Sequence, residues 1–217
     1  MNAKKRPVKK IALSLSLLLI LLWAVLGAGT SLAWFSDTSD KIENIFHFDS
    51  FDVLVEYRDK NGDYWDLDGV TNVFDDQALY EPGYVQVVYL RVTNNGAIPF
   101  TFSTAVNVTD YTEATSLLGP KFLLQDYLRF GLVTADSEAA LDQKLATRDQ
   151  AAAFATEPLY NYSKEHPVLA GSATRYIAVV VTMPKDVDNI ANYRLEPTPR
   201  VDLGLIITAT QTNTTGT

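Results

Sequence analysis

The 217-residue chain contains no cysteine, which excludes disulfides and thiolate metal sites together. Stability must therefore come from a core and not from cross-links. Histidine is almost as scarce: His47 and His166 are the only two. Neither belongs to a His-Glu-x-x-His arrangement, which on a helix places two zinc ligands and a base on one face. No Gly-x-Ser-x-Gly elbow is present, and a serine nucleophile would have to use one of these two histidines as its base. His47, between Phe46 and Phe48, reads as a partly buried strand residue, and His166, before Pro167, reads as a loop residue. Long internal repeats are missing, which argues against solenoids and propellers. The Thr/Asn/Gly-rich end shows no sorting motif with an apolar anchor, and residues 212–217 read as a flexible tail.

Charge is also missing from Ile11 to Ser36, and this stretch follows five cations, Lys4, Lys5, Arg6, Lys9 and Lys10. The order basic, apolar, small is that of an export signal, with Ser31 and Ala33 offering the small side chains a signal peptidase accepts. Residues 1–33 are thus expected to be a signal peptide cleaved after Ala33, leaving Trp34 first. The alternative is an uncleaved anchor, since a spanning helix needs about 20 apolar residues; Gly27 and Gly29 break the helix where processing would fall. Cleavage would leave 13 basic against 26 acidic residues, a net charge of −13 on 184 residues. Such a surface excludes nucleic acid as a partner, and the length suits a single domain with one sizeable core.

Strict alternation dominates the rest. Ile98, Phe100, Phe102, Thr104, Val106 and Val108 share one face, as do Val201, Leu203, Leu205, Ile207 and Ala209, and Phe51, Val53, Val55 and Tyr57. Period two marks half-buried antiparallel strands. Tyr84 to Val92 and Tyr176 to Met183 are apolar on both faces, as expected of central strands covered on both sides. Turn residues at Asn61-Gly62, Pro82-Gly83 and Asn95-Gly96 lead to the expectation that these strands pair as hairpins. Residues 121–156 depart from the pattern: Asp136-Ser137-Glu138 can cap a helix, and Ala139, Ala140, Leu141, Leu145 and Ala151 to Phe154 favour one. The reading is a mainly β chain, an antiparallel β-sandwich over residues 49–211 with a helical insertion around 121–156. That insertion serves either as a lid on one end of the sandwich or as a contact between subunits.

The densest cluster of oxygen ligands is Asp59, Asn61, Asp63, Asp66 and Asp68, four carboxylates and one amide. Its first positions suit a calcium loop, but the glycine comes fourth and Val70 stands where a bidentate Glu belongs. A hairpin turning at Asn61-Gly62 between solvated aspartates is the simpler reading, and no metal or other cofactor is expected.

The stretch Gly29-Thr-Ser-Leu-Ala-Trp-Phe-Ser-Asp37 resembles the processing region of the TasA/camelysin (CalY) family of Gram-positive bacteria. Tyr80-Glu-Pro-Gly-Tyr84, Asn94-Asn-Gly96, Asn192-Tyr193 and the strand ending Ala209-Thr-Gln211 agree with it. The resemblance implies a secreted, SipW-processed protein with a jelly-roll sandwich that assembles into extracellular biofilm matrix fibres, alone or with accessory matrix proteins. It further implies that residues 34–48 act as a donor strand for the neighbouring subunit, carried by Trp34, Phe35, Ile42, Ile45 and Phe46, with a polar stretch Ser36 to Lys41 between the apolar ends. The alternatives are a surface accessory or adhesin reading carbohydrate through Tyr64, Trp65 and Tyr84, and a camelysin-like protease, for which the two isolated histidines provide no site.

Overall fold

The computed structural model describes residues 45–48, 52–67, 73–75, 78, 80–158 and 163–211. The chain divides into two units, Met1–Ala33 and Trp34–Thr217, and every described residue lies in the second. The signal segment, the Ala33–Trp34 junction, Trp34, Phe35, Ile42, Asp68 and the tail 212–217 fall outside the described residues.

Thirteen strands are described: β1 (Ile45–Phe48), β2 (Val53–Arg58), β3 (Tyr64–Asp66), β4 (Val85–Asn94), β5 (Phe100–Thr112), β6 (Ala114–Ser116), β7 (Lys121–Phe122), β8 (Arg129–Ala135), β9 (Glu157–Pro158), β10 (Ser163–Leu169), β11 (Thr174–Thr182), β12 (Tyr193–Leu195) and β13 (Arg200–Gln211). Helices α1 (Glu138–Lys144) and α2 (Arg148–Ala152) lie between β8 and β9. One sheet has the order β1-β13-β5-β10 and the second β3-β2-β4-β11-β8-β9, while β12-β6-β7 form a small third sheet. The long strands alternate between the two main sheets, from β4 to β5, β5 to β8, β10 to β11 and β11 to β13. This is the winding of a jelly-roll sandwich.

The alternating faces meet between the two sheets. Phe100, Phe102 and Val106 of β5 and Val201, Leu203, Leu205 and Ile207 of β13 pack with Leu90 and Val92 of β4, Phe130 of β8 and Ile177, Val179 and Val181 of β11, each at most 2% exposed. A second cluster lies on the other face of the six-stranded sheet, where Leu141, Leu145, Ala151 and Ala155 cover Val133, Ala178 and Val180. This third layer explains why β4 and β11 are apolar on both faces. They are indeed central, β11 between β4 and β8, and β4 between β2 and β11.

Three expectations need correction. In the span 121–156, α-helix occupies only α1 and α2, with one 3-10 turn at Leu124–Asp126; Lys121–Phe122 and Arg129–Ala135 are strands. Phe130 and Leu132 enter the core between the sheets and Val133 the cluster under the helices, tertiary contacts that outweigh weak helix propensity. The helices also lie flat on a sheet face and do not lid an end of the sandwich. They begin where expected, with Ser137 Oγ accepting the N–H of Ala140 at 3.3 Å and Thr147 Oγ1 accepting that of Gln150 at 3.2 Å. Finally, only Asn61-Gly62 closes a hairpin, between β2 and β3. Asn95-Gly96 carries the chain from one sheet to the other, and Pro82-Gly83 leads into β4. Turn chemistry specifies reversal of direction; which sheet receives the next strand is decided by its apolar face.

Candidate functional site

A strand edge is the place where a β-sandwich can recruit another chain, because its unpaired N–H and C=O groups form a template. Three of the outer strands here are blunted. The β10 edge carries Pro167, which cannot donate to a ladder, and its register shifts between His166 and Leu169. At the ends of the six-stranded sheet, β9 has two residues and includes Pro158, and β3 has three.

The fourth edge belongs to β13 and is covered by β1. The pairing is parallel and four residues long, Ile45 opposite Ile206, Phe46 opposite Ile207, His47 opposite Thr208 and Phe48 opposite Ala209. It covers a third of the twelve-residue β13, whereas β5 runs antiparallel along its other side from Arg200 to Gln211. Every other strand pairing among the described residues is antiparallel. Parallel pairing is slightly less stable per residue, and β1 holds the β13 edge over four residues only. Ile45 and Phe46, expected in a donor strand, thus sit on a strand paired within the chain.

The β2–β3 hairpin presents the second candidate. Asp59 organises it with four acceptor contacts: Oδ1 takes the N–H of Asn61 (2.8 Å) and of Asp63 (3.0 Å), and Oδ2 takes the Asn61 amide (3.2 Å) and the Trp65 indole N–H (3.2 Å). Desolvation pushes this carboxyl up, but the N–H groups of Asp63, Asn61 and Trp65 outweigh it and hold it below the usual carboxylate range. A carboxylate committed to its own loop has little capacity left for a cation. Among the described residues no three carboxylate or imidazole side chains converge on one point. Trp65 itself is 55% exposed, so one flat aromatic face meets solvent.

The other two aromatics singled out from sequence are not platforms. Tyr64 lies under the Arg91 guanidinium, 4.1 Å from the ring centroid, and edge-on to Tyr176. Burial, with Glu138 adding to it, pushes the Tyr64 phenol up to about 12. Arg91 in turn holds Glu56 by two 2.6 Å contacts, and the neighbouring Arg58 stacks on Tyr89 at 3.8 Å while binding Asp142 and Glu138 of α1. This network pins the helical layer onto β2 and β4. Tyr84 packs edge-on against the fully buried Tyr80, and burial likewise raises its phenol to about 12. Sequence alternation could not reveal these contacts, because most of the partners lie on other elements, Arg91 on β4, Tyr176 on β11 and Glu138 on α1.

His166 corrects the loop expectation: it is a β10 residue 3% exposed. Its ring stacks on Phe102 at 4.4 Å and its Nε2 lies 3.0 Å from Thr104 Oγ1. Its alternation with Leu169 toward the core was obscured by the bulge and by Pro167. Burial, helped by the nearby cations Lys164 and Arg175, lowers its pKa to about 4, so it is neutral at ordinary pH. Among the described residues Nδ1 has no hydrogen-bond partner to orient the ring, and the one hydroxyl the ring meets, that of Thr104, is fully buried, away from any substrate a hydrolytic pair would need.

No family model matches the chain, and no curated protein matches it. Among solved structures, an ASH/PapD-like domain of human CEP192 (PapD-like domain 7) is similar at 10% identity, covering 60% of this chain and 75% of that one with a TM-score of 0.25. A likeness of that degree carries no argument about function.

Proposed function

We propose that the chain is a secreted structural protein without catalytic activity, a subunit of extracellular biofilm matrix fibres on a Gram-positive cell surface, joined to its neighbour by donor-strand complementation. The observation that supports this reading most is β1. It is a four-residue parallel strand at a sheet edge, contributed by the segment that follows the expected cleavage point, while the other edges are short or carry proline. Removing β1 from its own β13 and adding the equivalent strand from a second copy replaces like with like. The main-chain hydrogen bonds are conserved, so the exchange costs little beyond the entropy of association. The resemblance to TasA/camelysin proteins points the same way, with a SipW-like peptidase freeing the segment and accessory matrix proteins as further partners.

The absence of cysteine makes a clean test available. In the double variant His47→Cys, Thr208→Cys the two residues are Cα partners on adjacent strands, a spacing a disulfide accepts. Oxidised, the variant holds β1 in place and is expected to stay monomeric under electron microscopy; reduced, it is expected to form filaments. Deleting residues 34–48 should likewise leave a folded monomer. Filaments of normal morphology from the oxidised protein would sink the proposal. One observation favours a second reading: exposed Trp65 suits a carbohydrate-binding adhesin, and loss of polysaccharide retention in Trp65→Ala with filaments intact would support it.

A further inference from the structure

A crevice of about 350 Å³ opens between α2 and the ends of β4 and β11, at the lower end of the range of small-molecule sites. Its walls are apolar and small: Val85, Ala152, Ala153, Ala155, Met183 and Pro184. Small side chains create the space. The backbone contributes as well, because Gly83 adopts φ +86° and a Cβ there would lie 3.3 Å from the Lys185 stem. Glycine lets that stem lie across the start of β4 and bring its ammonium to the mouth.

The mouth is cationic on a chain of net charge −8. Lys185 and Arg148 flank it, with Asp149 as the single acidic group among the lining residues. Lys185 Nζ donates to Asp149 Oδ1 at 2.8 Å, and this contact holds the Asp149 carboxyl below its ordinary range. The mouth therefore already seats one carboxylate. Arg148 is exposed and acts on the same Asp149 carboxylate only through space, so two cations share one carboxylate and the lining carries a net positive charge beside an apolar crevice. An apolar interior with an excess of positive charge at its rim fits a ligand that is apolar at one end and anionic at the other.

We propose that this crevice is a binding site for a small amphiphilic carboxylate, an aryl or short alkyl acid, with its apolar body against Val85, Ala152, Ala155 and Met183 and its carboxylate at Arg148 and Lys185. The site lies on α2, far in sequence from β1, and the inference goes beyond the fibre reading and does not depend on it.

The test is a titration of the isotope-labelled full-length chain, followed by amide chemical shifts, with 3-phenylpropionate and its neutral analogue 3-phenylpropionamide. The acid should move the Ala152, Ala153, Ala155, Thr182 and Lys185 amides saturably, and bind about three- to tenfold tighter than the amide, the range that one or two exposed charge pairs provide. Arg148→Gln should abolish most of that preference while leaving the amide's affinity unchanged. Ala152→Phe should fill the crevice and remove both; Arg148→Gln, at an exposed position, keeps the test valid if the filled variant does not fold. Equal affinity for acid and amide, an unaltered preference in Arg148→Gln, or no saturable shift at roughly millimolar concentration, the weak end of specific binding, would each overturn the proposal. So would shifts of the same amides with protein concentration alone, which would assign the crevice to a second copy of the chain.

Discussion

Replacing His166 with glutamine should make the protein less sensitive to mild acid. The native imidazole is 3% exposed, and burial, with Lys164 and Arg175 nearby, lowers its pKa from the ordinary 6.5 to about 4. An unfolded chain therefore binds a proton here over a range of pH in which the folded chain does not. Wherever the unfolded state binds more protons, stability rises with pH. The His166 contribution is thus complete above the ordinary value and is lost as pH falls from 6.5 toward 4. Taking those two pKa values, the loss amounts to about 2.5 kcal/mol on going from about pH 7.5 to about pH 4.5. Glutamine does not titrate, and its amide can still meet Thr104 Oγ1, the 3.0 Å partner of the imidazole. Urea denaturation of both proteins at the two pH values separates the effect from that of the carboxylates, which titrate in both. The wild type should lose about 2 to 3 kcal/mol more than His166→Gln across this interval. Equal losses would refute the claim that the ring is buried and neutral.

The remaining predictions concern packing and the hairpin. Phe130→Ala removes a side chain with no exposed surface from between the sheets, and should cost about 3 to 5 kcal/mol in denaturant unfolding. Gly131→Ala places a Cβ 2.0 Å from the Phe154 carbonyl oxygen. Since that neighbour is backbone, the segment after α2 must move, at a cost of about 1 to 3 kcal/mol, with amide shifts confined to β8 and residues 153–155. Exhaustive dialysis against a chelator should leave the melting midpoint unchanged, because Asp59 is already saturated by its own loop; a lower midpoint restored by calcium would show that the loop opens to a metal. Asp59→Ala should free the Trp65 indole and increase its quenching by acrylamide with little change in far-ultraviolet circular dichroism.

Much of the sandwich was legible because period two is a local signal. In β13 each of Val201, Leu203, Leu205, Ile207 and Ala209 faces the core as its spacing implied. The departures arise where a distant partner decides. Asp202 has the parity of a solvent-facing residue yet is fully buried, and Arg200, two residues away, satisfies its carboxylate. The run Arg129–Ala135 is apolar on both faces like β11, but its place beside an alanine-rich stretch favoured a helical reading. What makes it a strand is the ladder with β11 and the two clusters its alternate residues enter, Phe130 and Leu132 in one and Val133 in the other. Trp65 and Tyr64 are adjacent in sequence and opposite in fate: the face of β3 that bears Tyr64 receives Arg91 from β4 and Tyr176 from β11, and the other face does not.

That same dependence on remote partners bears on the N-terminal segment. Its apolar residues are sparse, and a strand held only by such side chains would be weak wherever it sat. Yet what pairs β1 with Ile206 to Ala209 includes a backbone register, and backbone bonds are indifferent to which copy of the chain provides them. A thin apolar pattern is then compatible with exchange, since a strand deeply anchored in its own core could not leave. The consequence is measurable in the monomer: amides of Ile45–Phe48 and their partners on β13 should exchange with deuterium faster than those along the β13–β5 ladder, through local opening that leaves the rest of the sandwich intact. If β1 amides were protected as well as the β5 amides opposite Leu203 and Leu205, β1 would open only with the whole sandwich, and strand donation would require global unfolding.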